Sequence, residues 1–512
     1  MPKRHGFCAN RKCQSHVALA ILTAPKKTID KRARSARHGD KLMNDVPPAS
    51  AAASSARDEA ALAGIARGGG SVDIGHTLDD GPYTLLQKIA VVLAALSIVV
   101  DGFDSQLIGF AIPMLIKEWN ITRNAFAPVV ASGLIGMGVG SALAGLFADR
   151  FGRRWAVIGS VFVFGAATCA ISLAPNVAAI TALRFIAGLG IGGALPSSTT
   201  LTAEFTPARF RTFAVTATIL CVPAGGMIAG LFAAQVLPVY GWRGLFVAGG
   251  VLPLLLAIVL LFALPESPRF LARRPRRWPE LVELLRRMAR DVSAEASFTD
   301  LREQGAEKHV GFTALFRDGR LRDTVAIWAA FFMCLLAVYA AFSWLPSMLT
   351  SEGLSLALAG YGLSAYNLGG VIGALLCALA IGRYGSRWPL LLCCAGGVAS
   401  AWLLLGVSAT HNTTLMIVGL GLHGLFVNAV QSTMFALCAY VYSTSVRATG
   451  TASALAFGRI GAILSAFAGA AVITAGGASG YLLMLGIAMA VVLVALALVR
   501  RHIPRASAAR AH

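Results

Sequence analysis

The sequence predicts an all-α polytopic membrane protein with twelve transmembrane helices in two pseudo-symmetric six-helix bundles. Three features lead there. The chain of 512 residues is 56% hydrophobic and only 13% charged, outside the usual range of water-soluble globular proteins. Apolar runs of roughly 20 residues, enough to cross about 30 Å of hydrocarbon, recur from Ile89 almost to the C-terminus. The stretch "AGLFADRFGRRW" (144–155) aligns without gaps to "CALAIGRYGSRW" (377–388), so that Arg150, Phe151, Gly152, Arg154 and Trp155 meet Arg383, Tyr384, Gly385, Arg387 and Trp388. Two halves of common ancestry follow from that repeat. A transmembrane β-barrel is excluded, because the runs are continuous and lack period-two alternation.

Taken in order, residues 1–85 read as a basic, disordered cytoplasmic arm, since "KKTIDKRARSARHGDK" and "PPASAAASSARDEAALAGIARGGG" offer no core-forming pattern. A start at Met43 would shorten it to an ordinary tail. "VALAILTA" behind basic residues faintly resembles a signal peptide without a cleavage pattern, and the Arg-rich composition also suits a transit peptide. The N-terminal bundle occupies 86–264, with spans at 88–112, 126–148, 155–174, 178–201, 212–236 and 244–264. A cytoplasmic linker follows at 265–323. In its "WPELVELLRRMARD", Leu281, Leu284, Leu285 and Met288 form one helical face and Glu283 stands four before Arg287. The C-terminal bundle is 324–500, with spans at 324–348, 359–381, 388–408, 414–440, 450–474 and 480–500, and 501–512 is a cytoplasmic tail.

The net charge of +20 raises the question of nucleic acid, and the placement of the basic residues answers it. Arg150, Arg153, Arg154, Arg209, Arg211, Arg383, Arg387, Arg447, Arg500 and Arg501 all fall on one side of the predicted spans, against Lys117, Arg123 and Arg243 on the other. By the positive-inside rule both termini are cytoplasmic in a cell (inner) membrane, and no nucleic-acid partner is implied. Cys169, Cys221, Cys334, Cys377, Cys393, Cys394 and Cys438 lie in spans as small apolar residues. Cys8 and Cys13 lack further ligands at zinc spacing. No Walker signature, catalytic triad or metal cluster argues for an enzyme.

Asp101 and Asp104 interrupt the apolar run "SIVVDGFDSQLIGFAIP". An ionised Asp at the centre of a membrane helix costs about 2.5–3.5 kcal/mol on insertion scales, so such residues face cavities and serve functions. Their three-residue spacing puts both on one face, which Ser97 and Ser105 extend, and predicts that they look into a central cavity. A carboxyl withdrawn from water beside a second one holds a proton more readily than in bulk solvent, which suits a proton carrier. The competing view is a structural pair around a turn at Gly102. After Glu352 the sequence contains no Asp or Glu, so the C-terminal bundle cannot supply the carboxylate. Arg184 and Arg459 are the basic residues deep in spans, and a guanidinium grips a carboxylate through two parallel bonds. Arg184 could serve a substrate or neutralise an aspartate. Arg459 has no acid in its own half, which favours an anionic substrate.

Phe103, Tyr339, Phe342, Trp344, Tyr366 and Phe457 are candidates to wall a ring-shaped pocket, or to pack. Asn367 and Gln431 could bond ring hydroxyls or another helix, and His423 could relay protons or pack. The glycines of "GLIGMGVGSALAG" and "AGLGIGG" suit close helix approach.

"GLFADRFGRR" closely resembles the loop signature of the major facilitator superfamily, and "RFIAGLGIGG", "GWRGLF" and "PESPRFL" stand where that superfamily has comparable stretches. "DGFD" in the first span, with "VRATG" and "GRIGAIL" in the last quarter, resembles its aromatic acid:proton symporter family over roughly 85 to 500. The resemblance implies roles for Asp101, Asp104, Arg184, Glu204, Arg447 and Arg459. It also implies a cytoplasmic gate at Asp149, Arg150, Gly152, Arg153 and Arg154, with Arg383 on the repeat, where Gly382 and Ser386 replace the acid and one arginine. The expectation is a proton-coupled secondary transporter importing an aromatic carboxylate of the benzoate or hydroxybenzoate class by rocking one bundle against the other. It would need no cofactor beyond the proton gradient and would work as a monomer in the lipid bilayer. The alternatives are a proton-driven exporter of the same superfamily, whose Gly-Pro pair is missing from "CVPAGGMIAG", and a membrane receptor that binds without transporting.

Overall fold

The computed structural model describes residues 71–293, 296–300, 315–316, 320–410, 412–442 and 446–505. The arm at 1–70, part of the 265–323 linker, Cys8 and Cys13 lie outside these residues. A short strand β1 (Ser71–Asp73) and helix α1 (Ile74–Asp80) lead into α2 (Leu85–Trp119), α3 (Ala127–Phe151), α4 (Arg153–Ile171), α5 (Val177–Phe205) and α6 (Ala208–Ala263). Between the halves lie α7 (Pro268–Ala272), α8 (Trp278–Arg287) and β2 (Ser297–Thr299). The second half is α9 (Leu321–Ser351), α10 (Leu356–Tyr384), α11 (Arg387–Thr410), α12 (Thr413–Val441) and α13 (Arg447–Leu498).

Among the described residues, ten helices are long and apolar enough to cross a membrane. Two are too long for one crossing. At 1.5 Å per residue, the 56 residues of α6 and the 52 of α13 would each run more than about 75 Å. Each is broken at a glycine in a non-helical conformation, Gly241 (φ 65°) and Gly477 (φ 60°), so each provides two crossings. The breaks fall between the spans expected at 212–236 and 244–264, and at 450–474 and 480–500. Twelve crossings put both ends of the bundle on one side, called here the termini side; the other is the far side.

Local chemistry sets the helix ends. Thr84 and Gln87 form a capping box at the start of α2, which closes on Asn120 in the left-handed conformation. Asn176, Ser355 and Asn412 cap α5, α10 and α12 through their side chains. The two aligned glycines of the repeat, Gly152 (φ 109°) and Gly385 (φ 80°), terminate α3 and α10 in backbone conformations that favour glycine.

Small residues let helices touch backbone to backbone, as expected where lipid removes the hydrophobic drive between them. A side chain added at Gly136 or Gly140 on α3 would strike the α5 carbonyls of Phe185 or Leu189. Gly369 and Gly373 on α10 abut the α12 carbonyls of Gly421 and Leu425 in the same manner. Large apolar side chains such as Leu146, Phe262 and Trp402 remain exposed and form the lipid-facing surface.

The termini side carries a small packed layer that sequence reasoning missed. Residues 71–80, expected within the disordered arm, are ordered: β1 pairs in parallel with β2, and α1 buries Ile74 and Leu78, one turn apart, against α7 and α8. Asp73 caps α1, Arg290 donates to its last carbonyls at Thr77 and Leu78, and Asp79 pairs with Arg211 at the start of α6. The apolar face of α8 is as expected, with Leu281, Leu284, Leu285 and Met288 buried. Glu283, however, pairs at 3.4 Å with Arg286, three residues on, and not with Arg287.

Candidate functional site

α2 is continuous through Gly102, which removes the view of the two aspartates as flanking a turn. Gly102 is there for contact: a Cβ would meet the carbonyl of Val222 on α6, and Gly225 abuts Val99 in return. This crossing fixes the rotation of α2 and sends Asp104 toward α4 and α5. Asp104 is fully buried; one oxygen accepts from Thr168 at 2.6 Å and the other lies 3.7 Å from Arg184 Nη1. Arg184, itself buried, also donates to the Ser105 carbonyl at 3.5 Å. Asp101 is 5% exposed, its Oδ1 has no hydrogen-bond partner, and it lies within electrostatic reach of Asp104 and Arg459. Ser97 turns away from this group to bond Ser198 at 2.8 Å.

The two halves meet around a mid-membrane cavity of about 20 Å³. Ser105, Gly133 and Arg184 line it from the first half, Tyr339, Phe342 and Ser343 from the second. Half-buried Arg459 donates to the Tyr339 hydroxyl at 3.0 Å. A chain of polar groups thus runs Thr168, Asp104, Arg184, cavity, Tyr339, Arg459. The cavity holds little more than one water-sized body, so an aromatic ring fits only when the halves part. The expectation that both aspartates look into a cavity is not met in this conformation: Asp104 stands one side chain behind the cavity, covered by Arg184.

Several expected pocket residues lie elsewhere. Asn367 exchanges two amide hydrogen bonds with Gln106 of α2, at 2.9 and 3.3 Å, with both side chains buried. Phe103 packs edge-on against Phe232, Trp344 is buried against Gly469, and Phe457 stacks on Trp328 at 4.0 Å. Tyr366 sits between Phe342 and His423, whose Nδ1 is 2.9 Å from Ser400 Oγ. Gln431 is half-buried on α12 and is not among the residues that line this cavity. Rotation about the helix axis decides these placements, and residue type alone does not report it. Gln106 was visible two residues after Asp104 and is the contact that the sequence reading passed over.

The gate residues make contacts within their own halves and with the start of the linker. Asp149 pairs with Arg153 at 2.9 Å across the α3–α4 turn. Arg154 donates its backbone N–H to Glu266 at 3.0 Å and its guanidinium to the Leu261 carbonyl at 2.5 Å. Arg150 lies over the Phe151 ring, and Glu204 accepts from the Ser267 hydroxyl. A Cβ at Gly152 would overlap the Glu266 carboxylate. Burial holds the Glu266 carboxyl above its ordinary range. Glu266 belongs to the "PESPRFL" stretch, just past the last apolar run of the first half, where an acid carries no signal of depth. In the second half, Arg383 lies over Tyr384 and Arg447 donates to the Tyr442 carbonyl at 3.5 Å.

Among the described residues, hydrogen bonds joining the halves run from mid-membrane to the far side: Gln106 with Asn367, Ser364 to Met227, Gln235 to Tyr361, and Arg123 to Ser347. The halves are therefore clasped on the far side.

The Major Facilitator Superfamily profile matches residues 94–365 and 349–511. The chain is 36% identical over 415 residues to the 4-hydroxybenzoate transporter PcaK of Pseudomonas putida, covering 80% of this chain and 91% of that one. It is 32% identical over 406 residues to the gallate transporter of Pseudomonas putida, covering 79% and 90%. Among solved structures, the partially occluded inward-open xylose transporter XylE from E. coli superposes with a TM-score of 0.64 at 18% identity, covering 82% of this chain and 99% of that one, which speaks to the fold alone. With both halves matched and the fold in hand, the chain belongs to the major facilitator superfamily and, within it, to the aromatic acid:proton symporter family that its motifs resemble; it is a multi-pass membrane transporter and not an enzyme.

Proposed function

We propose that the protein imports an aromatic carboxylate of the benzoate or hydroxybenzoate class together with protons, by alternating access. The observation that carries this reading is the inter-half cavity with an arginine on each side of it, Arg184 backed by Asp104 and Arg459 held by Tyr339. Two aspartates and two arginines sum to zero charge when all are ionised. A monoanionic substrate in the same low-dielectric region leaves one negative charge in excess, and a proton on Asp101 or Asp104 cancels it. Binding of anion and proton then favour one another, which is what symport requires. Asp101, with an unpartnered oxygen, and Asp104 are the proton carriers; Arg459 and Arg184 are the carboxylate ligands; Tyr339 and Phe342 offer ring contacts.

In this reading the termini side is cytoplasmic, the bilayer is the inner membrane, and the far-side clasp makes this an inward-facing state. The gate at Asp149, Arg150, Gly152, Arg153, Arg154, Glu204, Arg383 and Arg447 closes when the bundles rock back. A monomer suffices, and the proton gradient replaces any cofactor. The relatives' carriage of 4-hydroxybenzoate and gallate supports the substrate class. Labelled 4-hydroxybenzoate should accumulate in proteoliposomes only with the outside acidic. Accumulation against an opposite gradient would mean export, and tight binding without accumulation would mean a receptor.

A further inference from the structure

A groove of about 650 Å³ runs along the termini-side ends of α2 and α6 and shares no lining residue with the central cavity. Lys88 and Arg209 stand at it, each over an aromatic ring: Lys88 Nζ is 5.6 Å from the Tyr83 centroid and the Arg209 guanidinium 4.8 Å from that of Phe210. The two rings are 5.9 Å apart. Among the described residues no carboxylate lines the groove, whereas neighbouring Arg211 is taken up by Asp79 and by carbonyls. Farther in, Val92 (63% exposed) and Phe213 (78%) present apolar surface, and the groove ends at Cys221, beside the crossing that carries Asp101.

The groove is lined by the first half alone, on the stripe of α2 that reaches the second half at mid-membrane. On α2 its residues Lys88, Val91 and Ala95 continue at three- and four-residue steps through Val99 and Gly102 to Gln106 and Gly109. Gln106 bonds Asn367 and Gly109 abuts the Phe342 carbonyl, both of the second half. The same stripe that closes the protein at mid-membrane is therefore uncovered on the termini side.

We propose that this groove is a second binding site for a small aromatic carboxylate, a station between the central cavity and the termini-side solvent. The carboxylate meets Lys88 and Arg209 while the ring lies on Phe213 and Val92, a pairing of cation and apolar wall that suits an amphipathic anion. This rests on the substrate class proposed above.

The test is equilibrium dialysis of labelled 4-hydroxybenzoate against the full chain in nanodiscs of zwitterionic lipid. Two molecules per chain are expected. Arg459→Ala should leave one, and the double variant Lys88→Gln/Arg209→Gln should leave the other; Phe213→Glu, at an exposed position, should act like the double variant. In proteoliposomes the double variant should raise the KM for efflux about fivefold and leave the KM for uptake unmoved, an asymmetry that general damage would not produce. One molecule per chain, lost in Arg459→Ala and kept in the double variant, overturns the second site and leaves the transport reading intact. Phosphatidylglycerol that copurifies with the wild type, is lost from the double variant and displaces the second molecule would make the groove a lipid site and equally overturn the proposal. No saturable binding to the wild type would overturn the substrate class itself.

Discussion

In the first half, α2 carries Asp101 and Asp104 to mid-membrane and α5 answers with Arg184; in the second, no acid occurs after Glu352, and the charge at depth is Arg459 on α13, held by a tyrosine hydroxyl. The scaffolds beneath are alike. Gly152 and Gly385 end α3 and α10 at the same position of the repeat, and glycine contacts join α3 to α5 and α10 to α12. The turns are clasped by different means: the Glu266 carboxylate takes the backbone N–H of Arg154, while the Ile503 carbonyl takes that of Ser386. Helix packing and the terminating glycines are thus common to the two halves, while the clasp of each turn and the ionisable chemistry differ. The first half holds groups that can gain and lose a proton beside a cation of its own, Arg184, and the second holds a permanent cation at depth with no acid beside it. In the proposed symport this division matters, because an anion held between Arg184 and Arg459 and a proton on the first half reward the closure that brings the halves together.

The strongest way to break this comparison is to remove titration from the first half. Asp104→Asn keeps the acceptor for Thr168 but cannot ionise, and gradient-driven accumulation of 4-hydroxybenzoate should vanish while binding persists. Next comes the cation of the second half. Arg459→Lys replaces a planar fork by a point charge, and the KM for uptake should rise about tenfold or more; an unchanged KM would move the carboxylate contact to another residue. The join between halves ranks third. Asn367→Leu leaves the Gln106 amide buried and unpaired, at a cost of about 1–3 kcal/mol in thermal unfolding. Adding Gln106→Leu should recover part of that loss, and additive losses would show that the pair is not coupled.

The smallest effect concerns the clasp. Burial raises the Glu266 carboxyl above the ordinary 4.5, so the folded protein keeps a proton that the unfolded chain has released. The stability it contributes is full below the unfolded value and is lost as pH rises through the folded one. Glu266→Gln should therefore flatten the fall of Tm above about pH 4.5, with a change in stability within about 1 kcal/mol at neutral pH. A slope identical to that of the wild type would assign the titration to another group.

The sequence was most legible where a period or a repeat recorded the fold. Continuous apolar runs located the spans, and aligned glycines located the turns. Rotation was harder to read: on α9 Phe342 reaches the cavity while Trp344 turns into packing, and nothing in an apolar helix without a polar face distinguishes them. The partnership of Gln106 with Asn367 depends on how two halves dock, 261 residues apart in the chain, beyond local pattern. α1 escaped notice because it buries only Ile74 and Leu78 inside a polar, glycine-rich approach. The aspartates were identified from their depth, but the cover of Asp104 by Arg184 depends on how α2 and α5 rotate against one another, which depth does not report.

Proton flux through those aspartates can be measured directly. Proteoliposomes loaded with a pH-sensitive dye, with protein-free liposomes subtracted, should acidify inside when 4-hydroxybenzoate is added to the wild type and stay flat for Asp101→Asn/Asp104→Asn. Acidification that persists undiminished in the double variant would contradict the assignment of the proton to the first half.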